Sequence, residues 1–88
     1  MGMAGAATQI YSSDFDAVFL KLPTDVQARI QRKLDELGRR LDSYPHYQMT
    51  GSTAFRLRVG DYRVIYRFEL RKNDLYLAAV GHRREVYR

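Results

Sequence analysis

Hydrophobic residues in the first half of the chain recur every three or four positions, which is the spacing of one face of an α-helix. A first stripe lies between Ser13 and Pro23 and comprises Phe15, Val18, Phe19 and Leu22. A second, longer stripe comprises Val26, Ile30, Leu34, Leu37 and Leu41. Ser13 can cap the first helix, the proline ends it, and Thr24 with Gln27 three residues later has the form of a capping box. The pattern predicts a hairpin of two amphipathic helices, whose apolar stripes need a hydrophobic surface to cover.

From Phe55 onward the period of the hydrophobic pattern changes to two, which is typical of β-strands. Apolar side chains at positions 55, 57 and 59 alternate with Arg56 and Arg58. The two arginines must therefore project from the opposite face of this strand. Gly60 and Asp61 fit a tight hairpin turn, because glycine readily supplies the positive φ angle that such a turn requires.

A second strand is predicted at Tyr62–Leu70, where β-branched and aromatic residues are frequent. Its alternation places Arg63 on the same face as Ile65 and Arg67. The opposite face carries Tyr62, Val64, Tyr66 and Phe68. After a turn at residues 72–74, a third strand at Leu75–Val80 is apolar on both faces, which indicates a central position in the sheet. Gly81 is predicted to end it.

The order of these elements, helices first and then an antiparallel meander, predicts one α+β domain over residues 1–88. In this fold the N-terminal helical hairpin packs on one face of a small antiparallel β-sheet. A short lead-in strand is expected at Thr8–Tyr11. Residues 42–53 lack an apolar period and contain Pro45 and Gly51, so they read as a crossover loop in which His46 has no predicted role.

Composition narrows the class of protein further. The chain has 88 residues, of which 45% are hydrophobic and 28% charged, as in an ordinary globular domain. It contains no cysteine, which excludes disulfides and thiol chemistry, and small domains without such links often gain stability from a partner. No apolar run approaches the roughly 20 residues that a membrane span needs, and the opening residues are too short and uncharged for a signal peptide. A cytoplasmic protein without a membrane segment is expected.

The excess positive charge lies entirely in the second half of the chain. Residues 1–54 carry six Lys/Arg and six Asp/Glu, whereas residues 55–88 carry nine Lys/Arg and four Asp/Glu, which accounts for the net charge of +5. Clustered basic residues attract phosphates and release counterions on contact. The asymmetry fits either a face that binds a polyanion or a solvated sheet face.

Several kinds of catalytic site are excluded by the sequence. There is no glycine-rich phosphate loop, and two histidines, His46 and His82, do not make a convincing zinc or paired-metal site, so no metal or other cofactor is expected. What remains is a set of cations predicted to converge from neighbouring strands: Arg56, Arg58, Arg63 and Arg83. Guanidinium groups suit bidentate binding of phosphate and of a negatively charged transition state. RNA cleavage would also need a proton carrier, for which His82 and Tyr87 are the candidates.

Two segments carry a resemblance to a known family. Residues 55–66, FRLRVGDYRVIY, and residues 79–88, AVGHRREVYR, closely resemble the core and the C-terminal end of RelE-type toxins, as does the Leu22-Pro23 junction of the helical hairpin. The likeness extends from about Gln9 to the end of the chain. It implies a RelE-like fold and a toxin that a small cognate antitoxin neutralises. The further partners that the resemblance implies are the ribosome and mRNA.

The resemblance also implies roles for individual residues. Arg63, Arg83 and Tyr87 match the family's arginines and its C-terminal tyrosine, and His82 occupies a variable position. Arg56 and Arg58 stand where RelE-type toxins often have lysines. Because arginine cannot exchange a proton near neutral pH, the proton carrier is expected to be His82 or Tyr87. RelE-like members cut mRNA in the ribosomal A site, ParE-like members of the same fold poison DNA gyrase, and a degenerate member would bind RNA without cleaving it.

Overall fold

Two helices and five strands make up residues 5–82, the part of the chain that this computed structural model describes. The elements in chain order are β1 (Thr8–Tyr11), α1 (Ser13–Phe19), α2 (Thr24–Arg39), β2 (Tyr47–Gln48), β3 (Phe55–Val59), β4 (Tyr62–Glu69) and β5 (Asp74–His82). They confirm the predicted helical hairpin followed by an antiparallel meander. No described helix is both long and apolar enough to span a bilayer.

The strands form one sheet in the order β1-β5-β4-β3-β2. Strands β2 to β5 pair antiparallel, but β1 runs parallel to β5, with Thr8 opposite Asp74. The predicted antiparallel sheet is confirmed for β2 to β5, and the lead-in strand β1 adds a parallel edge that makes the whole sheet mixed. The parallel pair arises because the helical hairpin carries the chain over the sheet before the meander begins, as a parallel connection requires.

The core lies between the helices and one face of the sheet. One cluster of buried side chains includes Phe15 of α1 and the whole predicted stripe of α2. It also includes the alternate residues of β3, β4 and β5 that share their face: Leu57, Val59, Val64, Tyr66, Leu75, Leu77 and Val80. Both helices thus cover the same face, as predicted. The opposite face, here called the outer face, carries the arginines of β3 and β4.

The helix termini differ from the predicted ones in detail. Ser12, not Ser13, caps α1, with its hydroxyl accepting a hydrogen bond from the Phe15 amide at 3.0 Å. The N-cap of α2 is Pro23, which makes no side-chain capping bond, so the capping box was wrong. Gln27 instead donates its side-chain amide to the Leu22 carbonyl at 2.9 Å, which ties the second helix to the end of the first.

Three further differences concern exposure and strand length. Val18, predicted in the buried stripe of α1, is 37% exposed because this short helix buries only its Phe15 side. Gly81 does not end the third strand of the meander, since β5 continues through it to His82. The predicted crossover loop contains a short edge strand, β2, which pairs Tyr47 with Arg56 and Gln48 with Phe55.

Candidate functional site

Three of the predicted site arginines come together on the outer face. Arg58 lies directly opposite Arg63 in the β3–β4 pairing, and Arg56 precedes Arg58 by two residues on the same face. Neighbouring strands are about 4.8 Å apart, so these guanidinium groups can reach a common ligand. The pairing register thus turns an alternating sequence into a compact cationic surface, defined here as the arginine patch (Arg56, Arg58 and Arg63).

The three arginines differ in exposure. Arg56 and Arg58 are exposed, whereas Arg63 is only 9% exposed. Arg56 and Arg63 both have interaction partners within the protein. A permanently charged group in a water-poor position interacts more strongly with an anion than the same group in water does. The patch therefore combines one fixed, desolvated cation with two solvated ones that can adapt to a ligand.

His82 is not brought to the arginine patch. It pairs with Tyr62 at the end of β5, and the two rings meet edge to face with centroids 5.8 Å apart. Tyr62 and His82 lie on the face that the helices cover. The next pair along the strands, Arg63 and Gly81, lies on the outer face. The other two predicted site residues, Arg83 and Tyr87, lie outside the described residues.

A cavity opens beside the patch at the edge where β2 meets β3. It has a volume of about 260 Å³ and is lined by Tyr44, Pro45, Tyr47, Arg56, Leu57 and Arg58. It is called the Tyr47 cavity below. Pairing of β2 with β3 stops at Tyr47, since the preceding residues include Pro45, which has no amide hydrogen to donate. The chain diverges from β3 at that point and leaves the space open.

The loop that carries this cavity is anchored by His46, to which the sequence assigned no role. The Nε2 atom of His46 lies 2.8 Å from the Leu41 carbonyl oxygen, and Nδ1 lies 2.6 Å from the Tyr66 hydroxyl. A carbonyl can only accept, so Nε2 carries the ring proton and Nδ1 accepts from the tyrosine. The imidazole also stacks on Phe68 with centroids 4.1 Å apart. His46 thus joins the loop to the sheet immediately before Tyr47.

Burial changes the ionisation of the tyrosine in this anchor. Tyr66 is 0% exposed, and its desolvation raises the pKa of its hydroxyl well above the ordinary tyrosine value. The hydroxyl is therefore neutral at physiological pH and able to donate to His46. This result agrees with the sequence interpretation of Tyr66 as a core residue.

A second group of cations lies across Arg58 from the Tyr47 cavity. Arg29, Arg32 and Lys33 of α2 line a groove of about 370 Å³ together with Glu36, Arg58, Val59 and Gly60. The charge balance did not predict this groove, because the first half of the chain has no net charge. The signal was the clustering of Arg29, Arg32 and Lys33 over one turn of the helix, since residues three or four apart share a helix face.

Within residues 5–82, no group of three or more His, Cys, Asp or Glu side chains is placed to hold a metal ion. The described site combines the guanidinium groups of the arginine patch with the neighbouring rings of Tyr44 and Tyr47. These groups can hold an anion and stabilise added negative charge. Proton transfer requires a further group, because arginine stays protonated.

Comparisons with known proteins agree with this architecture. The profile of one family, described as the ParE toxin of type II toxin-antitoxin system, parDE, matches residues 10–87. No curated protein sequence matches the chain at a significant level.

Solved structures resemble the fold over nearly the whole chain. The isolated RelE toxin of E. coli superposes with a TM-score of 0.75 at 20% sequence identity, covering 93% of this chain and 92% of that one. The toxin-antitoxin complex RelBE2 from Mycobacterium tuberculosis gives a TM-score of 0.73 at 20% identity, covering 93% and 97%. The archaeal RelE-RelB complex from Pyrococcus horikoshii gives 0.71 at 20% identity, covering 91% and 98%.

These structural matches establish a common fold, and the family profile spans almost all of the described elements. Both findings agree with the resemblance to RelE-type toxins seen in residues 55–66 and 79–88. The chain belongs to the ParE toxin family of type II toxin-antitoxin systems, and it shares its fold with RelE toxins.

Proposed function

We propose that this toxin is an endoribonuclease that cleaves mRNA in the ribosomal A site without a metal ion. The observation that carries the proposal is the arginine patch, in which Arg63 is fixed and buried while Arg56 and Arg58 remain exposed beside it. A protein that acts only by binding another protein has no need of three convergent cations of this kind. A scissile phosphate and its transition state do.

In the proposed reaction the RNA supplies its own nucleophile. The 2′-oxygen next to the scissile phosphate attacks phosphorus, the bond to the 5′-oxygen breaks, and the products are a 2′,3′-cyclic phosphate and a 5′-hydroxyl. Arg56, Arg58 and Arg63 hold the phosphate, and Arg83 stabilises the leaving side. A proton must leave the 2′-hydroxyl and another must reach the 5′-oxygen.

Tyr87 is our preferred proton carrier. The register of β5 directs His82 toward Tyr62 on the helix-covered face, away from the arginine patch. Cationic neighbours stabilise a tyrosinate, which is the form in which Tyr87 would accept a proton. With Tyr87 as the only proposed proton carrier, cleavage needs a substrate that is already oriented. We propose that the ribosome, in the cytoplasm, provides this orientation.

The proposed regulator is a cognate antitoxin that covers the basic face. The M. tuberculosis and P. horikoshii structures named above are complexes of a toxin with its antitoxin. An extended segment with acidic and apolar residues would complement the arginine patch and the adjoining cavity. The expected assembly is a toxin-antitoxin hetero-oligomer.

The chemistry is tested on ribosomes programmed with a defined mRNA. A normal A-site codon should be cut to leave a 5′-hydroxyl, and an mRNA with a single 2′-deoxy sugar at the cut position should stay intact. The deoxy substrate is the matched control, because it retains the base and the phosphate. A 5′-phosphate product, or equal cleavage of the deoxy substrate, rejects this mechanism.

A second candidate function is inhibition of DNA gyrase, which the naming of the matched family after ParE favours. Such an inhibitor would act by binding, and toxicity would survive Arg83→Ala combined with Tyr87→Phe. The endoribonuclease proposal predicts that this double variant is harmless. A toxin that has lost catalysis would bind RNA with a steep salt dependence and leave it intact.

A further inference from the structure

We propose that the Tyr47 cavity is a subsite for one unpaired RNA base, with the Tyr47 ring as its stacking platform. The inference rests on the proposed function for its class of substrate and extends it to a specific contact. It adds a residue that determines how the RNA is held.

The position of Tyr47 is the first step in the argument. Its backbone pairs with Arg56, so the ring lies on the outer face beside the arginine patch. The side chain is 61% exposed, an unusual exposure for a large aromatic residue held in a strand. An aromatic ring presented to solvent next to cations is the combination that single-stranded nucleic acids recognise by stacking.

Tyr44 and Tyr66 differ from Tyr47 because their rings already contact neighbouring groups. Tyr66 contacts the His46 ring at a centroid distance of 5.7 Å, and the guanidinium of Arg40 lies 5.5 Å from the ring centre of Tyr44. Within residues 5–82 no comparable ring or cation contact occupies Tyr47. Its face is therefore available to a ligand without the loss of an existing contact.

The size and lining of the cavity fit a single nucleotide. Its volume of about 260 Å³ is below the roughly 300–1,000 Å³ of sites for drug-sized ligands. Pro45 and Leu57 contribute apolar surface suited to the flat face of a base, while Arg56 and Arg58 line the side toward the patch. A base in the cavity would thus place its own phosphate among the arginines.

Rigidity is the last step, because a stacking platform loses less conformational freedom when it is held in advance. Pairing with β3 holds Tyr47 on one side, and the His46 anchor to Leu41 and Tyr66 holds it on the other. The Met49 amide also donates to the Ala54 carbonyl at 2.9 Å and closes the short β2–β3 connection. The structure thus fixes the backbone of Tyr47 while it leaves the ring exposed.

The experiment measures binding of a short single-stranded RNA by fluorescence anisotropy. Uniform 2′-O-methyl groups block cleavage, and an otherwise identical oligonucleotide that lacks one base serves as the second probe. Loss of one stacked base weakens binding by about 5- to 160-fold. Tyr47→Ala should lose affinity for the complete RNA by a factor in this range. It should bind the abasic RNA as tightly as the wild type does. Tyr47→Phe should keep normal affinity for both RNAs.

Tyr11→Ala is the matched control, since Tyr11 is another exposed tyrosine, 39% exposed, on the strand at the far edge of the sheet. It should leave RNA affinity unchanged. Equal affinities of wild type and Tyr47→Ala for the complete RNA overturn the inference. A loss of affinity that is the same for complete and abasic RNA also overturns the inference. A loss confined to binding of an antitoxin peptide overturns it as well, because the peptide would then occupy the Tyr47 cavity.

The same variants separate this inference from the proposed function. A wild type that binds RNA through Tyr47 but leaves ribosomal mRNA intact supports the subsite and rejects the nuclease. A wild type that cleaves mRNA, with unchanged binding in Tyr47→Ala, supports the nuclease and rejects the subsite.

Discussion

Replacement of Tyr66 by phenylalanine tests the anchor that holds the Tyr47 loop on the sheet. The substitution keeps the buried ring and removes only the hydroxyl that donates to His46 Nδ1 at 2.6 Å. A net hydrogen bond contributes about 0.5–1.5 kcal/mol, and a buried acceptor left unsatisfied costs about 1–3 kcal/mol. Because His46 is only half-buried, water can partly replace the lost donor. We therefore expect a loss of about 1–2 kcal/mol in the free energy of unfolding.

The assay is equilibrium unfolding in urea, followed by circular dichroism. Tyr66→Phe should lower the midpoint without changing the m-value, and in a domain of this size each 1 kcal/mol corresponds to about 4–8 °C in Tm. Tyr76→Phe is the control, because its hydroxyl donates to Asp74 only two residues away at 3.2 Å, and its loss should be below about 0.5 kcal/mol.

A double-mutant cycle identifies the partner. In a His46→Ala background the Tyr66 hydroxyl has already lost its acceptor, so Tyr66→Phe should cost little or nothing there. An equal cost in both backgrounds, or a stability of Tyr66→Phe within about 0.3 kcal/mol of the wild type, refutes the anchor.

Three further predictions concern pH and backbone conformation. Burial raises the pKa of Tyr66, so the stability from its neutral form is complete below pH 10 and declines as pH rises above that value. In alkaline urea titrations the free energy of unfolding should fall by up to about 1.4 kcal/mol per pH unit, and the fall should be smaller in Tyr66→Phe. Hydrogen bonds from Gln9 and Gln31 lower the pKa of Asp35 below 3.8, so its contribution is present above that pH and is lost as pH falls through the folded-state pKa; acid unfolding of Asp35→Asn should be flatter in this range. Gly60 has a φ of +61°, and a Cβ there would lie 2.5 Å from Arg29 Nη2. Gly60→Ala should therefore lower the free energy of unfolding by about 1–2 kcal/mol in the same urea assay. Gly5→Ala, with open space around the added Cβ, should lower it less.

The parts of the fold that the sequence predicted are those that depend on local periodicity. The four stripe residues within α2 are all buried, because a 3.6-residue repeat gives them one face to share, and Leu41 is buried just beyond the end of the helix. The alternation around Arg56 and Arg58 likewise placed both on the outer face. Arg63 joined them because one hairpin register satisfies the hydrophobic alternation of both strands.

The features that were missed depend on contacts between distant residues. The parallel pairing of β1 with β5 joins positions more than 60 residues apart, and nothing in the sequence of either strand identifies the partner. The role of His46 arises from the convergence of Leu41, Tyr66 and Phe68, which are separated in the chain. The basic groove was missed for the same reason. Its cations on α2 lie far in the sequence from Arg58 and Gly60, and the two segments meet only in the folded chain.

Single-turnover cleavage on programmed ribosomes shows whether the arginine patch and Tyr87 together cleave mRNA. Arg63→Gln and Tyr87→Phe should each reduce the rate of A-site cleavage by at least about 100-fold, the loss typical of removing transition-state stabilisation or a general acid-base group. His82→Ala, on the other face of the sheet, should retain most of the wild-type rate. Intact mRNA after incubation with a folded wild type, or wild-type rates in both Arg63→Gln and Tyr87→Phe, would rule out the proposed nuclease.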